Sequence, residues 1–491
     1  MPRSTPDTFV GVRSRTRQLS LSLSLSLSLG TGCVPSLQGN EPRDPNKALP
    51  ASFGGSGDPS PSQSEDTGQA QATWRQFFSS PELRQLIEAA LAGNRELNMQ
   101  LQEIILAQTE VSARKGEYAP KVSVGATVGV DHVGEHTSQG RADKATGLPA
   151  NLGNFAFGLK GSWEIDIWGK LRNAARSANY RYLASKEARS FLVTQIVAEI
   201  ARSYFDIIAL DNQIEVLKRN IDLQASGLEV VRLQKEAARV TELAVQRFEA
   251  EVLKNRSHLF ELEQERTEAE NRVNFLVGRY PQPVHRNAEA FKEPLPRGLR
   301  VGLPSQLLEN RADVRQAELQ LEAAKLDVKV AKAAFYPSLS LDAGLGYQAF
   351  NPQHLLRTPE SMAYGLAANL TAPLLNRTAI EAQYRGANAM QIKAVLNYEK
   401  TLLQAFTDVA NQLALIDNLQ KSYELRSKQV DTLVRSVEIS NVLFQSARAD
   451  YLEVLTTRRD ALEGEMTLVE TKKKQLQAMV SVYQALGGGW R

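Results

Sequence analysis

Residues 120–131 read Pro-Lys-Val-Ser-Val-Gly-Ala-Thr-Val-Gly-Val-Asp, and residues 337–348 read Pro-Ser-Leu-Ser-Leu-Asp-Ala-Gly-Leu-Gly-Tyr-Gln. In both stretches apolar residues alternate with small or polar ones, which is the period of a β-strand with two different faces. A second alternating stretch follows each of them. The chain therefore carries a two-strand module twice, with strands predicted at about 120–134 and 154–168, and at about 337–349 and 361–373.

Long helices are predicted around these modules. Their predicted spans are about 81–116, 170–235, a further helix that ends near Gly278, 378–445 and 450–486. A helix of about 65 residues would be roughly 100 Å long, which is typical of coiled coils. The last helix repeats apolar residues with a heptad period, at Leu455, Leu462, Val469, Leu476 and Tyr483, with Leu452, Met466 and Val480 at the complementary positions. This seam predicts helices packed side by side, and its alternative is the core face of an ordinary bundle.

The predicted strands have the right length for a membrane. A tilted membrane strand needs about 9 to 11 residues, and no apolar run here reaches the roughly 20 residues of a membrane helix. Spanning strands must close into a barrel, because hydrocarbon cannot satisfy an open sheet edge. Four strands are too few to close, so two chains would make eight strands and three would make twelve. A soluble sheet that covers its apolar face is the alternative.

The first residues predict export. Arginines precede an apolar stretch over residues 19–29, small residues 30–32 follow, and Cys33 comes next. We therefore expect a signal peptide at 1–32. Cys33 is the only cysteine, which excludes an intrachain disulfide. Residues 33–72, rich in Pro, Ser, Gly and Asp, predict a tether without a core, followed by repeats at 73–296 and 297–491.

Composition excludes several classes of function. Charged residues make up 23% of the chain and the formal net charge is +3, so no basic surface for nucleic acid is indicated. The five histidines are scattered, and no phosphate-binding glycine loop or cluster with metal-ligand spacing occurs. His132 and His136 are four residues apart, but in a strand and loop this spacing does not bring them together. We predict no cofactor, no metal and no enzymatic activity.

Several motifs resemble a known family. Residues 163–172 (Trp-Glu-Ile-Asp-Ile-Trp-Gly-Lys-Leu-Arg), 335–339 (Phe-Tyr-Pro-Ser-Leu), 405–410 (Ala-Phe-Thr-Asp-Val-Ala) and 451–455 (Tyr-Leu-Glu-Val-Leu) are similar to signatures of outer-membrane efflux proteins, the TolC-like ducts. The ending at 483–490 (Tyr-Gln-Ala-Leu-Gly-Gly-Gly-Trp) resembles the lipoprotein branch that serves RND pumps. Cys33 resembles a lipoprotein cleavage site, with Gly30 where that pattern has Leu.

The resemblance implies a fold and a function. The expected fold is mainly α with a transmembrane β-barrel, in which a homotrimer forms a 12-stranded barrel and a periplasmic α-barrel of coiled helices. The expected function is a passive outer-membrane duct for small molecules such as drugs, anchored by lipid on Cys33. The expected partners are a periplasmic membrane-fusion adaptor, an inner-membrane RND pump and outer-membrane lipid. The alternatives are a protein-secretion duct and a periplasmic coiled-coil adaptor or scaffold.

The same resemblance implies a gate at the periplasmic helix tip. The tip is expected at residues 447–451, followed by Glu453, and its counterpart in the first repeat at 238–242. Three copies of Glu453 would form an acidic ring that concentrates cations. Arg448 and Asp450, beside Tyr451, could form the links that hold the duct closed. The alternative is that these are exposed tip charges of little energetic weight.

Overall fold

The computed structural model describes residues 34–37, 41, 43–50, 52–53, 73–291, 306–375, 377–446 and 448–490. The predicted signal peptide, Cys33 and Ala447 lie outside the described residues. The helices and strands, in chain order, are α1 (Trp74–Phe77), α2 (Pro81–Gly93), α3 (Arg95–Tyr118), β1 (Lys121–His132), α4 (Ser138–Ala145), β2 (Asn151–Ile165), α5 (Lys170–Glu236), α6 (Glu242–Val277), α7 (Leu307–Asn310), α8 (Ala312–Ala333), β3 (Ser338–Ala349), β4 (Met362–Thr371), α9 (Thr378–Gln445) and α10 (Tyr451–Ala485). No helix among the described residues is long and apolar enough to cross a membrane.

The first compact unit contains the sheet. It includes Gln108–Tyr180 and Glu322–Lys393. The four strands are antiparallel in the order β1-β2-β3-β4, so the two sequence modules join through the β2–β3 pair. All four predicted strands are confirmed to within three residues at each end, because alternation along a strand is a local signal.

The second compact unit is helical. It includes Asp44–Ala107, Arg181–Leu321 and Ala394–Arg491. The heptad seam of α10 contacts three successive apolar clusters of α5 and α6. Leu476, Val480 and Tyr483 lie in the largest cluster, Leu462 and Met466 pack on the next, and Leu455 packs on the last. The predicted seam is therefore confirmed at these positions, whereas Leu452 is 42% exposed.

In each repeat a left-handed glycine follows a long helix. Gly278, at the end of α6, has a φ of +81°, and a Cβ there would clash with Gly93 O. Gly487, after α10, has a φ of +85°, and its Cβ would lie 2.5 Å from Asn310 O. In each repeat a left-handed glycine thus lets the chain touch the turn that precedes α3 or α8, a contact that any side chain would block.

Arg311 holds the second of these turns. Its guanidinium donates to both Asp313 carboxylate oxygens, at 2.6 and 3.0 Å, and to Ala485 O at 3.2 Å. Asp408 lies 3.3 Å from the same group. Burial lowers the pKa of Arg311, but the hydrogen bonds and charges of Asp313 and Asp408 together outweigh burial, and the net direction is upward.

One local expectation is wrong. The predicted helix at 81–116 is broken at Asn94, whose side chain accepts from Leu97 N and donates to Leu276 O. Between β1 and β2 the chain forms α4, which Thr137 caps through Gly140 N. Residues 43–53, within the predicted tether, are docked on the helices.

The described part of this N-terminal segment packs on α8 and α9. Phe53 stacks on Phe406 with ring centroids 5.3 Å apart, and Lys47 pairs with Glu318 at 2.6 Å. Composition did not reveal these anchors, because one aromatic ring and one lysine are enough to dock a segment that has no core of its own.

Candidate functional site: a two-faced sheet and a helix-hairpin tip

The register of the sheet places like residues on the same face. Across one row, Val124 pairs with Leu159, Leu159 with Leu345, and Leu345 with Tyr364. The next row joins Gly125, Gly158, Gly346 and Ala363 on the opposite face. The alternation seen within each strand therefore becomes one continuous apolar face and one continuous face of small and polar residues.

Amide side chains engage the carboxylates of the polar face. Asn154 donates to Asp131 at 3.2 Å and accepts from Gln348 at 3.1 Å, which links three strands. Asn369 donates to Asp342 at 2.7 Å across the β3–β4 pair. These bonds lie on the face of small and polar residues.

The backbones of β2 and β3 lie very close together at one glycine pair on the polar face. A Cβ on Gly158 would lie 2.5 Å from Leu345 O and 2.6 Å from Gly346 Cα, and a Cβ on Gly346 would lie 2.7 Å from Gly158 Cα. Glycine at both positions therefore permits an approach of the two strands that side chains would block.

Among the described residues of one chain, both edges of this sheet are unpaired. β1 and β4 each pair with a single neighbour. Their apolar side chains are largely exposed to solvent in the single chain: Val124 is 77% exposed and Tyr364 is 80% exposed. An unpaired backbone edge beside an exposed apolar face is a template for another strand.

The predicted gate residues lie at the start of α10. Asp450 precedes the helix without capping it through its side chain, and Arg448 and Glu453 are exposed. Within the described part of one chain, these three side chains form no ion pair with one another. The structure thus brings them together at one turn but leaves their charges available.

Tyr451 differs from the other predicted gate residues because it is partly buried. It packs with Leu455 and Phe444 on a cluster formed by α5 and α6. Val240, from the counterpart tip in the first repeat, packs on the same cluster. The two tips are therefore parts of one packed end of the helical unit.

Arg458 is a tip residue that the sequence reasoning missed. Its guanidinium donates to Leu223 O of α5 and to Asn441 Oδ1 of α9, both at 2.9 Å. Burial lowers its pKa. A Cβ on Gly227 would lie 3.2 Å from Arg458 Nη1. Gly227, the only glycine of the 67-residue α5, was the signal that could have revealed this close approach.

The chain belongs to the outer membrane efflux protein family, whose model matches residues 86–279 and 303–488. Among curated proteins it is similar to the pyoverdine export outer membrane protein OpmQ of Pseudomonas aeruginosa. That match is 30% identical and covers 85% of this chain and 87% of the relative. The probable outer membrane lipoprotein SilC of Salmonella typhimurium is 28% identical, with coverages of 87% and 89%.

A solved structure of CusC, from a study of its folding and transmembrane channel formation, has the same fold. The TM-score is 0.75 at 25% identity, and the match covers 87% of this chain and 97% of that one. The chain is thus an outer-membrane channel component of an efflux system, as the motifs predicted. The periplasmic-adaptor alternative is wrong, because both repeats match the channel family along their length.

Proposed function

We propose that three copies of this chain close a 12-stranded barrel, in which β4 of one copy pairs with β1 of the next. The observation that carries the proposal is the four-stranded sheet with two open edges and a bare apolar face. In a bilayer every backbone group on those edges needs a partner, so closure is required. The polar face then lines the passage and the apolar face meets lipid.

The long helices support the same assembly. Several large apolar side chains on them are exposed in the single chain: Leu223, Leu233, Phe260, Leu403 and Leu425 are each more than 60% exposed. Such residues in a coiled-coil pattern are covered when further helices pack alongside. Copies of the same chain supply those helices in a closed periplasmic α-barrel.

The duct is passive. A periplasmic adaptor and an inner-membrane pump deliver a small molecule to the helix tip, and the solute leaves through the sheet. The curated relatives are named for pyoverdine export and for cation efflux, which supports a small-molecule cargo rather than a secreted protein. The chain needs no chemistry of its own for this role.

A lipid on Cys33 anchors the N-terminus. The lipoprotein name of the relative SilC supports this proposal. So does the docked segment ending at Phe53, because it ties the residues after the cysteine to the helices.

Glu453 and Asp450 form the gate. Three exposed copies of Glu453 at one tip make an acidic ring, and Asp450 and Arg448 of neighbouring copies pair across it. The available charges at the start of α10 support this arrangement. Exposed pairs are individually weak, so the threefold repetition and the enclosed lumen supply the effect.

Single-channel recording in planar bilayers tests the duct and its gate. The double variant Asp450→Ala, Glu453→Ala should raise conductance and lower cation preference. Glu236→Ala, an exposed charge at the end of α5, is the matched control and should leave both unchanged. Unchanged conductance in the double variant would reject the gate, and an absence of any channel in the unmodified protein would reject the duct.

A further inference from the structure

Two lysines stand on the polar face of the sheet without an ionic partner. Lys121 on β1 and Lys160 on β2 are both exposed. Within the described residues, neither ammonium group lies in an ion pair or donates a hydrogen bond. Their strand positions place them on the face that carries Gly125 and Gly158.

The register turns the two lysines into a compact group. Lys121 is paired with Ser162, and Ser123 is paired with Lys160. Two ammonium groups and two hydroxyls thus occupy the corners of one quadrilateral, with the lysines on its diagonal. Diagonal neighbours across an antiparallel pair are about 7–8 Å apart, which flexible lysine side chains can bridge. We call these four residues the lysine–serine quartet.

The surroundings leave room for a ligand. A cavity of about 220 Å³ is lined by Lys160, alone of the quartet, and by five glycines, at positions 125, 158, 344, 346 and 365. Two carboxylates lie on the same face beside the quartet. Asp342, opposite Ser162, accepts from Asn369, and Glu164, two residues after Ser162, pairs with Lys170 at 3.1 Å. The quartet and these neighbours therefore carry three positive charges against two negative ones, and the hydroxyl of Ser123 already donates to Lys160 O at 3.4 Å.

We propose that the lysine–serine quartet is a binding station for anionic solutes, of the phosphate or polycarboxylate class, on the wall of the exit passage. Ammonium groups and hydroxyls bind such oxygens through charge-assisted hydrogen bonds. The inference rests on the proposed function, because it takes the polar face to line the lumen. It adds a second electrostatic element, opposite in sign to the acidic ring at the tip.

The test uses the full-length protein in a bilayer of uncharged phosphatidylcholine. Inorganic tripolyphosphate is added on the extracellular side, so that it reaches the sheet without passing the helix tip. The double variant Lys121→Gln, Lys160→Gln should raise the concentration for half-block at least tenfold, roughly what the loss of one charged hydrogen bond implies. Lys144→Gln, which removes a lysine of α4 paired with Glu135, is the matched control and should be blocked like the unmodified protein.

The outcomes separate the two proposals. If channels form and the double variant has the same half-block concentration as the unmodified protein, the station is rejected and the duct stands. If no channel forms, the duct is rejected, and calorimetric titration of the detergent-solubilised protein with tripolyphosphate tests the station directly. The station is supported if the double variant loses tripolyphosphate binding and the control variant keeps it. Equal binding by both variants rejects the station. If the double variant loses binding to phosphatidylglycerol vesicles but is still blocked by tripolyphosphate, the lysines bind lipid headgroups and the solute proposal is rejected.

Discussion

Replacing Gly158 with Ala should weaken the sheet, whereas the same change at its register partner Gly125 should not. The added Cβ at Gly158 would lie 2.5 Å from Leu345 O and 2.6 Å from Gly346 Cα, well inside the 3.4 Å at which ordinary contact begins. A Cβ on Gly125 would meet nothing within 4 Å. The obstacles at Gly158 are backbone atoms, so they cannot rotate away.

The magnitude follows from these contacts. Forcing a methyl group into a filled site destabilises by about 1–3 kcal/mol, and a backbone obstacle places Gly158→Ala toward the upper end of that range. Gly125→Ala should instead stabilise by about 0.5–1 kcal/mol, because alanine restricts the unfolded chain. The two substitutions are chemically identical and lie on the same strand pair and face. They differ in the space around the added methyl group, so they should shift stability in opposite directions.

Migration on unboiled gels after heating measures this difference. Outer-membrane fractions of each variant are heated in steps, and the temperature of half-dissociation is recorded. In a trimer the change is repeated three times, so Gly158→Ala should lower the midpoint by several degrees relative to Gly125→Ala. Equal midpoints, or a higher midpoint for Gly158→Ala, would refute the inference that the backbones of β2 and β3 leave no room for a methyl group at this glycine pair.

Two further predictions concern the helical unit. Arg311→Met should destabilise the protein by about 3–5 kcal/mol in denaturant titration, because it leaves the mostly buried Asp313 without its partner. Arg75→Met, which removes an arginine 62% exposed in its ion pair, should change stability by no more than about 1 kcal/mol, and equal losses would contradict the argument. Phe53→Ala should speed tryptic cleavage at Lys47 roughly tenfold, since losing one aromatic contact of about 1.4 kcal/mol frees the N-terminal segment. An unchanged cleavage rate would show that the stacking does not hold it.

The sequence predicted the elements well where their signal is local. Alternation over residues 121–132 predicted β1 from the residues of that strand alone. The heptad at Leu462, Met466 and Leu476 predicted the buried seam of α10. The break at Asn94 was missed, because nothing in the apolar period changes there. Its cause is a bond to Leu276 O, 182 residues away.

The candidate site was predictable only in part. The positions of Asp450 and Glu453 at a helix start follow from the chain itself, whereas their role as a gate remains a prediction. The tie of Arg458 to Leu223 and Asn441 could not be read from the sequence, since it joins three helices that no local pattern relates.

By itself, the sequence determined that this chain has two modules of two-faced strands between long helices, and it pointed to the efflux channel family. Those features are periodic, so each is written in a short stretch of residues. Only the tertiary structure decided which strands meet, how closely β2 and β3 approach at Gly158 and Gly346, and that Lys121 and Lys160 share one polar face. These depend on register between segments up to about 200 residues apart, and a shift of one residue would move every side chain to the other face.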